Sequence, residues 1–486
     1  MEERSITKWF GGVSDDSREQ VFTEYNLCRH FDTISSPNVL LPYRDYENQS
    51  ATDFFIGNFV FSGGILYGLG RNTADTKTKL YYLNGSLPDG TWTAATTGEA
   101  TNVGANTYEM FGEYKAFLYG IRASSSLWQY EIATNTFSEA FGALSATVTT
   151  AAPPIVAADD TFYIPYNNRL ASVDSSGTFT ATAFLLPDDL VITSLANYGD
   201  FLAIATRPKN FRGSQSKVFL WNLIDADPTQ IIIWGDENLQ VIETIDNQIV
   251  GASISNNTSL FIKQVLFGKT WSGGDVTTFK EIELDTTGYA MSVIKQFINN
   301  RLYFIVNAGG AGLYNAIWNI GRKDERYPWQ IVPDRQLSNA GVNDSPNAFY
   351  IVGDYVWIAT ITADVIIRTN DDSTPTFTIT SFVNTQRYNG DEPSKLKQLV
   401  GIAASFTPLT GTGSIVVKYR KDEETNFTTL FTASTANLMY YALTRSAFPA
   451  GSIPKFNEIQ FRIESTGNNK PTSLWWEYEE IETAAT

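Results

Sequence analysis

One phrase of sequence recurs between about residue 53 and residue 383, and it limits what the chain can fold into. A short apolar strand enters a tight polar turn, and a very hydrophobic strand leaves it. A third strand follows, and the phrase closes on an aromatic residue. One copy runs Met110-Phe111-Gly112-Glu113-Tyr114-Lys115-Ala116-Phe117-Leu118-Tyr119-Gly120, then Leu127-Trp128-Gln129-Tyr130, the turn Ala133-Thr134-Asn135, and Phe137. Gly, Asn or Asp pairs between apolar runs are hairpin signals. The turns fall at Gly63-Gly64, Glu113-Tyr114, Asp159-Asp160, Gly199-Asp200, Asp246-Asn247, Asn299-Asn300 and Gly353-Asp354. Their spacing of roughly 40 to 55 residues is that of β-propeller blades, and about seven copies are present. The later half of the phrase repeats too. Leu80-Tyr81-Tyr82-Leu83 leads to Trp92, Val218-Phe219-Leu220-Trp221 to Trp234, and Ala316-Ile317-Trp318 to Trp329. A lone four-stranded sheet cannot bury both faces, whereas blades stacked around an axis bury one another and leave only short edges. A pair of large β-sandwiches is the alternative architecture.

The chain has 486 residues, too many for one ordinary core, and its 43% hydrophobic and 14% aromatic content is that of a folded protein. Strands rich in Tyr, Phe, Trp, Val, Ile and Thr make it all-β. Three regions follow. Residues 1–50 read as an extended N-terminal arm, Gly-kinked at Trp9-Phe10-Gly11-Gly12-Val13 and held out of helix by Pro37 and Pro42. The arm either adds a strand to the last blade or reaches a neighbouring subunit. Residues 51–385 read as a roughly seven-bladed β-propeller. Its long loops at 71–79, 207–217, 308–313 and 321–327 are candidate partner contacts. Residues 386–486 alternate at period two, as in Val416-Val417-Lys418-Tyr419-Arg420 and Phe456-Asn457-Glu458-Ile459-Gln460-Phe461-Arg462-Ile463, and read as a C-terminal β-sandwich. A linker is expected near Asn389-Gly390-Asp391-Glu392-Pro393. No apolar core follows Met1-Glu2-Glu3-Arg4 and no run of 18 apolar residues occurs, so synthesis in the cytoplasm without a membrane-spanning segment is expected.

Chemistry-bearing motifs are sparse. The net charge of −17 argues against a general phosphate-gripping surface, and suits either solubility or a lumen past which nucleic acid slides. One cysteine, Cys28, and one histidine, His30, exclude an intramolecular disulfide and a Cys/His zinc site. No G-x-S-x-G elbow accompanies His30. A sialidase-like enzyme would carry Asp-boxes. Pro88-Asp89-Gly90-Thr91-Trp92 and Ser172-Val173-Asp174-Ser175-Ser176-Gly177-Thr178-Phe179 resemble them imperfectly and also make ordinary turns. Asp225-Ala226-Asp227 and Asp371-Asp372 read as turn residues, not calcium loops. Gly309-Gly310-Ala311-Gly312 reads as a flexible loop rather than a phosphate cradle. No catalytic, cofactor-binding or metal-binding residue is assigned, and no cofactor is expected.

Phe10-Gly11-Gly12-Val13-Ser14-Asp15 with Pro37-Asn38-Val39-Leu40 resembles the start of many tailed-bacteriophage virion proteins. Lys395-Leu396-Lys397-Gln398-Leu399, Val416-Val417-Lys418-Tyr419-Arg420 and Phe456 to Ile463 resemble the terminal sandwich of such proteins. The blades between are similar in layout to the propeller of short-tailed phage nozzle and hub proteins. The resemblance implies a structural tail protein without enzymatic activity. It implies a homo-oligomeric ring of about six copies below the portal, with heterologous joints. Such a ring encloses the DNA exit channel, lets genomic DNA pass without sequence-specific binding, and docks to a tail adaptor and to fibres or spikes. The alternative role is a tail-tip or fibre-associated receptor- or glycan-binding propeller.

Overall fold

The computed structural model describes residues 2–9, 12–13, 24–29, 31–36, 38–49, 54–72, 77–85, 87, 90–95, 101–102, 110–122, 125–210, 215–235, 238–255, 259–267, 274–284, 289–307, 315–323, 326, 329–337, 345–361, 365–369, 377, 379–390, 394–448 and 453–481. The fold is all-β. The chain forms two compact units, one of residues 46–316 with 342–369, the other of residues 1–45, 317–341 and 370–486.

The first unit is built from antiparallel meanders that follow the repeated phrase. The first has strands Phe54–Ser62, Ile65–Asn72, Lys77–Asn84 and Thr91–Ala94. The second has Phe111–Tyr114, Phe117–Arg122, Ser126–Glu131 and Thr136–Ala143, and the third Ile155–Val156, Phe162–Tyr166, Arg169–Val173 and Phe179–Leu185. The fourth has Leu190–Tyr198, Phe201–Pro208, Ser216–Trp221 and Gln230–Gly235, and the fifth Asn238–Ile245, Gln248–Ser255, Ser259–Phe267 and Gly274–Glu283. The sixth has Ala290–Ile298 and Arg301–Asn307. The last has Pro346–Val352, Tyr355–Thr360 and Ile366–Thr369, and its outer strand is Tyr46–Asn48 from the far end of the sequence.

Core side chains lie between successive meanders, as the blade argument requires. Leu170 and Phe184 of the third pack with Leu202, Phe219 and Trp221 of the fourth. Val218, Ile232 and Trp234 of the fourth pack with Leu239, Ile249 and Val265 of the fifth. The aromatic that closes the phrase has a steric reason. A Cβ on Gly251 would lie 2.8 Å from Trp234, and one on Gly68 would lie 3.3 Å from the Trp92 ring. These second-strand glycines let the indoles lie directly on the sheet.

The first strands of the first and second meanders neighbour each other, those of the fourth to the last do so in sequence order, and the first strand of the last meander returns to the first strand of the first. Sheets stacked around an axis with their first strands innermost make a β-propeller. Tyr46–Asn48 pairs in register with the last meander, Glu47 opposite Arg368, and so ties the two ends of the ring together. Arg368 is almost wholly buried. It donates from Nη2 to Glu47 Oε2 at 3.0 Å and lies over the rings of Tyr355 and Trp357. Of the two expectations for the arm, this strand follows the first.

The second unit holds two larger sheets. One orders Glu2–Ile6, Pro471–Glu480, Lys397–Phe406 and Tyr440–Thr444. The other orders Gly12–Val13, Glu24–Arg29, Ser381–Thr385, Ile459–Ser465, Ile415–Lys421 and Thr428–Ala433. Aromatic side chains from the two meet, with Phe461 and Trp476 at 5.2 Å and Phe431 stacked on Tyr441 at 4.7 Å. The N-terminal residues therefore run as sheet strands, where an extended arm over 1–50 is expected from the sequence. Glu2–Ile6 zips onto the C-terminal strand, and Trp9 is fully buried with Nε1 donating to Thr472 O. Ser381–Thr385, which by sequence belongs with the repeats, pairs instead with Ile459–Ser465. At the expected linker, Tyr388 bridges Ile459 and Gly390 is buried, while 391–393 lie outside the described residues.

The hairpin turns follow the Gly/Asn/Asp rule at most positions. Gly63-Gly64, Asp246-Asn247 and Asn299-Asn300 all have positive φ at both residues, the conformation of a type I′ turn. The second meander differs. Its turn is Lys115-Ala116, φ 50° and 66°, two residues beyond the expected Glu113-Tyr114. The left-handed conformation costs a non-glycine residue roughly 1–2 kcal/mol. Ala116→Gly should therefore raise unfolding stability by about 1 kcal/mol, and Gly64→Ala, at φ 82° with open space around its Cβ, should lower it by about as much. Urea unfolding of the two variants beside the parent checks both signs; opposite signs would reject the turn assignment.

Candidate functional site

The innermost strands carry a second repeat that residue identity does not reveal. Their pairing slips by one residue at Gly57, Thr193, Gln240 and Asn347. Each lies six residues ahead of its turn, at Gly63, Gly199, Asp246 and Gly353 (63 − 57, 199 − 193, 246 − 240, 353 − 347). A bulge re-aims the side chains beside it. Polar groups at or beside three of these bulges, and others along the inner strands, reach a neighbouring blade. Asn347 Nδ2 donates to Ile56 O at 2.8 Å, and Asn58 Nδ2 to Phe111 O at 3.4 Å. Ser194 Oγ accepts from Ile242 N at 3.2 Å. Gln296 and Ile351 exchange two bonds, at 2.9 and 2.7 Å. Asn197 Nδ2 reaches Val156 O at 2.9 Å, and Thr244 Oγ1 reaches Asn197 O at 2.5 Å.

Lys295 is the densest node of this girdle. Its Nζ donates to Leu195 O at 2.7 Å, Ile242 O at 2.5 Å and Glu243 Oε2 at 2.8 Å. One ammonium thus joins the first strands of three blades. Its side chain is 11% exposed and that of Glu243 13%, so the pair sits in a medium where a partnerless charge is costly. All three ammonium hydrogens have an acceptor, which is the saturation a buried lysine needs.

At one end of the ring the first turns of successive blades sit side by side. Asn300 Nδ2 bonds Asp246 Oδ1 at 3.2 Å, and Lys115 pairs with Asp160 at 2.8 Å. Tyr114 OH donates to Asp160 O. Exposed carboxylates on these turns are Asp159, Asp160, Asp200, Asp246 and Asp354. In the sequence these aspartates are hairpin residues and nothing more; the fold places them on the first turns of the blades, where Lys115 pairs with Asp160.

The motifs weighed for chemistry stay apart. Cys28 is fully buried, its thiol 3.9 Å from Phe31 O, while His30, Asp89, Asp371, Asp372 and Gly309-Gly310-Ala311-Gly312 lie outside the described residues. Asp174, in the better of the two Asp-box-like strings, spends its carboxylate on its own turn. Oδ1 accepts from Ser176 N, Ser176 Oγ and Thr178 N at 2.6–2.9 Å. Those hydrogen bonds, first the Ser176 hydroxyl and then the Thr178 amide, hold the Asp174 carboxyl below its usual range. Asp225 accepts from Asn222 Nδ2 at 2.7 Å within its own loop. Trp92 of the other string packs against Phe59 and Trp357. Among the described residues, no group of three or more His, Cys, Asp or Glu side chains is placed to hold a metal ion, and no helix is long and apolar enough to cross a membrane.

No protein-family model matches the chain, and no curated protein matches it. Similar solved structures include the N-terminal domain of Nup159, at 10% identity over 71% of this chain and 99% of that one, with TM-score 0.40. The β-propeller domain of Cps50 (Swd1) from Myceliophteria thermophila is 7% identical over 68% of this chain and 100% of that one, with TM-score 0.44. U3-55K is 10% identical over 67% and 98%, also with TM-score 0.44.

Two expectations follow from this geometry. Lys295→Met leaves Glu243 and two carbonyls without their donor, and should destabilise the protein by about 3 kcal/mol. Adding Glu243→Gln should recover part of that loss, which a double-mutant cycle in urea reads directly. Asp174 has a depressed folded-state value, so its contribution is present above about pH 4, the ordinary aspartate range, and is lost as pH falls through the lower folded value. Asp174→Asn should therefore flatten the fall in thermal midpoint below about pH 4; an unchanged acid limb would rule the contribution out.

Proposed function

We propose that this chain is a structural virion protein of a tailed bacteriophage, a nozzle or hub component of the tail without enzymatic activity. Its two bodies are a seven-bladed β-propeller closed by Tyr46–Asn48 and a C-terminal β-sandwich completed by N-terminal strands. In this reading several copies, about six, form a closed ring through heterologous interfaces. The ring surrounds the DNA exit channel and docks to an adaptor and to fibres or spikes. The protein is made in the host cytoplasm and resides in the virion tail.

The observation that carries the reading is a propeller cross-linked at its inner strands, with exposed aspartates on its first turns at positions 159, 160, 200, 246 and 354. A conduit wall has to hold its shape under load, and side-chain bonds from blade to blade serve that. It also has to avoid gripping phosphate, and acidic turns together with a net charge of −17 serve that. The resemblance of both chain ends to tail proteins supplies the biological setting.

Electron cryo-microscopy of the purified protein, alongside particles from its source, tests this. The expected result is a closed ring of copies around an axial channel, with the same chain below the portal in the particle. A monomer at tens of micromolar that is absent from tails would overturn the proposal. A lone propeller with an ordered ligand in its centre would turn it toward a binding module.

A further inference from the structure

Within the second unit, one sheet face gathers cations in a way its own fold does not require. Along Ile459–Ser465 the buried residues Ile459, Phe461 and Ile463 alternate with Gln460, Arg462 and Glu464. Along Ile415–Lys421, Ile415 and Val417 alternate with Val416, Lys418 and Arg420. The register sets Lys418 opposite Arg462 and Arg420 opposite Gln460, and Asn384 flanks Arg462 on the other side. Like charges directly opposite each other destabilise a sheet. Among the described residues of these strands, the carboxylate of Glu464 lies 2.7 Å from Lys418 and 3.7 Å from Arg462. Against it stand three cations, Lys418, Arg420 and Arg462.

These arginines are also held in place. The Arg462 guanidinium lies 4.3 Å from the Phe382 ring centre and 4.1 Å from that of Phe427. Arg420 lies 4.9 Å from the centre of the same Phe427 ring. The order is therefore Phe382, Arg462, Phe427, Arg420. Each Nε is pinned by an amide oxygen of the sheet, Arg462 to Asn384 Oδ1 at 2.7 Å and Arg420 to Gln460 Oε1 at 2.6 Å. The terminal nitrogens are left with long contacts, Arg462 to Glu464 at 3.7 Å and Arg420 to Thr425 O at 3.5 Å. Burial first pulls both guanidiniums below their ordinary range; Arg387 adds to this at Arg420, and at Arg462 the Glu464 carboxylate opposes it while Arg420 adds a smaller push the same way as burial. Desolvated like charges whose Nε atoms and planes are fixed are a preorganised anion receptor.

The geometry points to a docking site for an acidic peptide segment of a partner protein, whose carboxylates take the terminal nitrogens of Arg420 and Arg462 in place of these long contacts. A carboxylate matches the guanidinium fork, and Glu464 already occupies one side of the same face. Nucleic acid fits less well. It carries one charge per about 1.7 Å and meets the repulsion of the whole −17 chain, whereas a short acidic segment brings a few charges to the contact alone. This inference stands independently of the tail reading.

The test is fluorescence anisotropy of the full chain with a labelled deca-glutamate peptide at low and physiological salt. Binding should be saturable and weakened by salt, and a deca-glutamine peptide should not bind. The Arg420→Gln/Arg462→Gln pair should weaken binding by about tenfold or more. Arg420→Lys, which keeps the charge but loses the fork, should fall between, and Lys209→Gln, at an exposed site on the other unit, should match the parent. Thermal melts of each variant confirm folding, and Arg420→Lys alone decides the matter if the double variant melts early. Equal binding of both peptides, parent-like binding by the arginine variants, or tighter binding of a single-stranded oligonucleotide would each overturn the proposal.

Discussion

A four-stranded meander has two apolar faces and nothing of its own to cover them. Everything in the first unit depends on that constraint. Each blade covers its neighbour, so no blade is stable until the series closes. Closure here is made by three residues, Tyr46–Asn48, drawn from ahead of the first blade onto the last. Three backbone pairings are a small seal for so large a structure. Arg368 strengthens it: it reaches Glu47, lies over Tyr355 and Trp357, and is itself almost fully buried. A lysine would keep the charge there and lose the planar contact with both rings.

Closure alone leaves the inner strands crowded near the axis, where side chains are least able to fill space evenly. The bulges answer this. Placed six residues ahead of the turn, they twist the inner strand, and polar side chains at or beside three of them reach across to a neighbouring blade. The bonds so formed satisfy buried carbonyls such as those of Ile56, Leu195 and Ile242, which a purely apolar packing would leave unpaired. Lys295 extends this logic across three blades. An apolar residue of similar volume would fill the space but would take the ammonium donor from Leu195 O and leave Ile242 O only the Ser194 hydroxyl at 3.4 Å. That consideration favours an ammonium in a place where burial alone would disfavour one.

How much of this is legible from residues follows the range of each interaction. Turns such as Asp246-Asn247 and Asn299-Asn300 are legible because positive φ selects Asn, Asp and Gly locally. Lys115-Ala116 is not, because the surrounding blade imposes a conformation that neither residue prefers. The bulge is illegible by identity, since Gly57, Thr193, Gln240 and Asn347 share only a position relative to the turn. Its trace is a polar residue inside an otherwise apolar strand. Strand Ser381–Thr385 carries Phe382 and Val383 just as a blade strand would, and what assigns it elsewhere is its pairing with Ile459–Ser465, some 80 residues on. The arginine stack is assembled from residues distant in sequence, so no window of the chain contains it.

The distribution of charge gives these separate features a common sense. A chain of −17 could scatter its cations to relieve repulsion everywhere. Some are used that way, as Lys115 is beside Asp160. Lys295 and Arg368 instead spend theirs on internal joints, where each charge has a carboxylate and a defined geometry. Arg420 and Arg462 fit neither use. Their Nε atoms are tied to neutral amides, their planes are fixed by Phe382 and Phe427, and Glu464, the acid beside Arg462, is shared with Lys418. Holding two guanidiniums close together, half-buried and short of counter-charge, costs free energy in the isolated chain. Selection tolerates such a cost where an incoming group returns it, and a carboxylate is the group whose shape and charge the guanidinium fork fits.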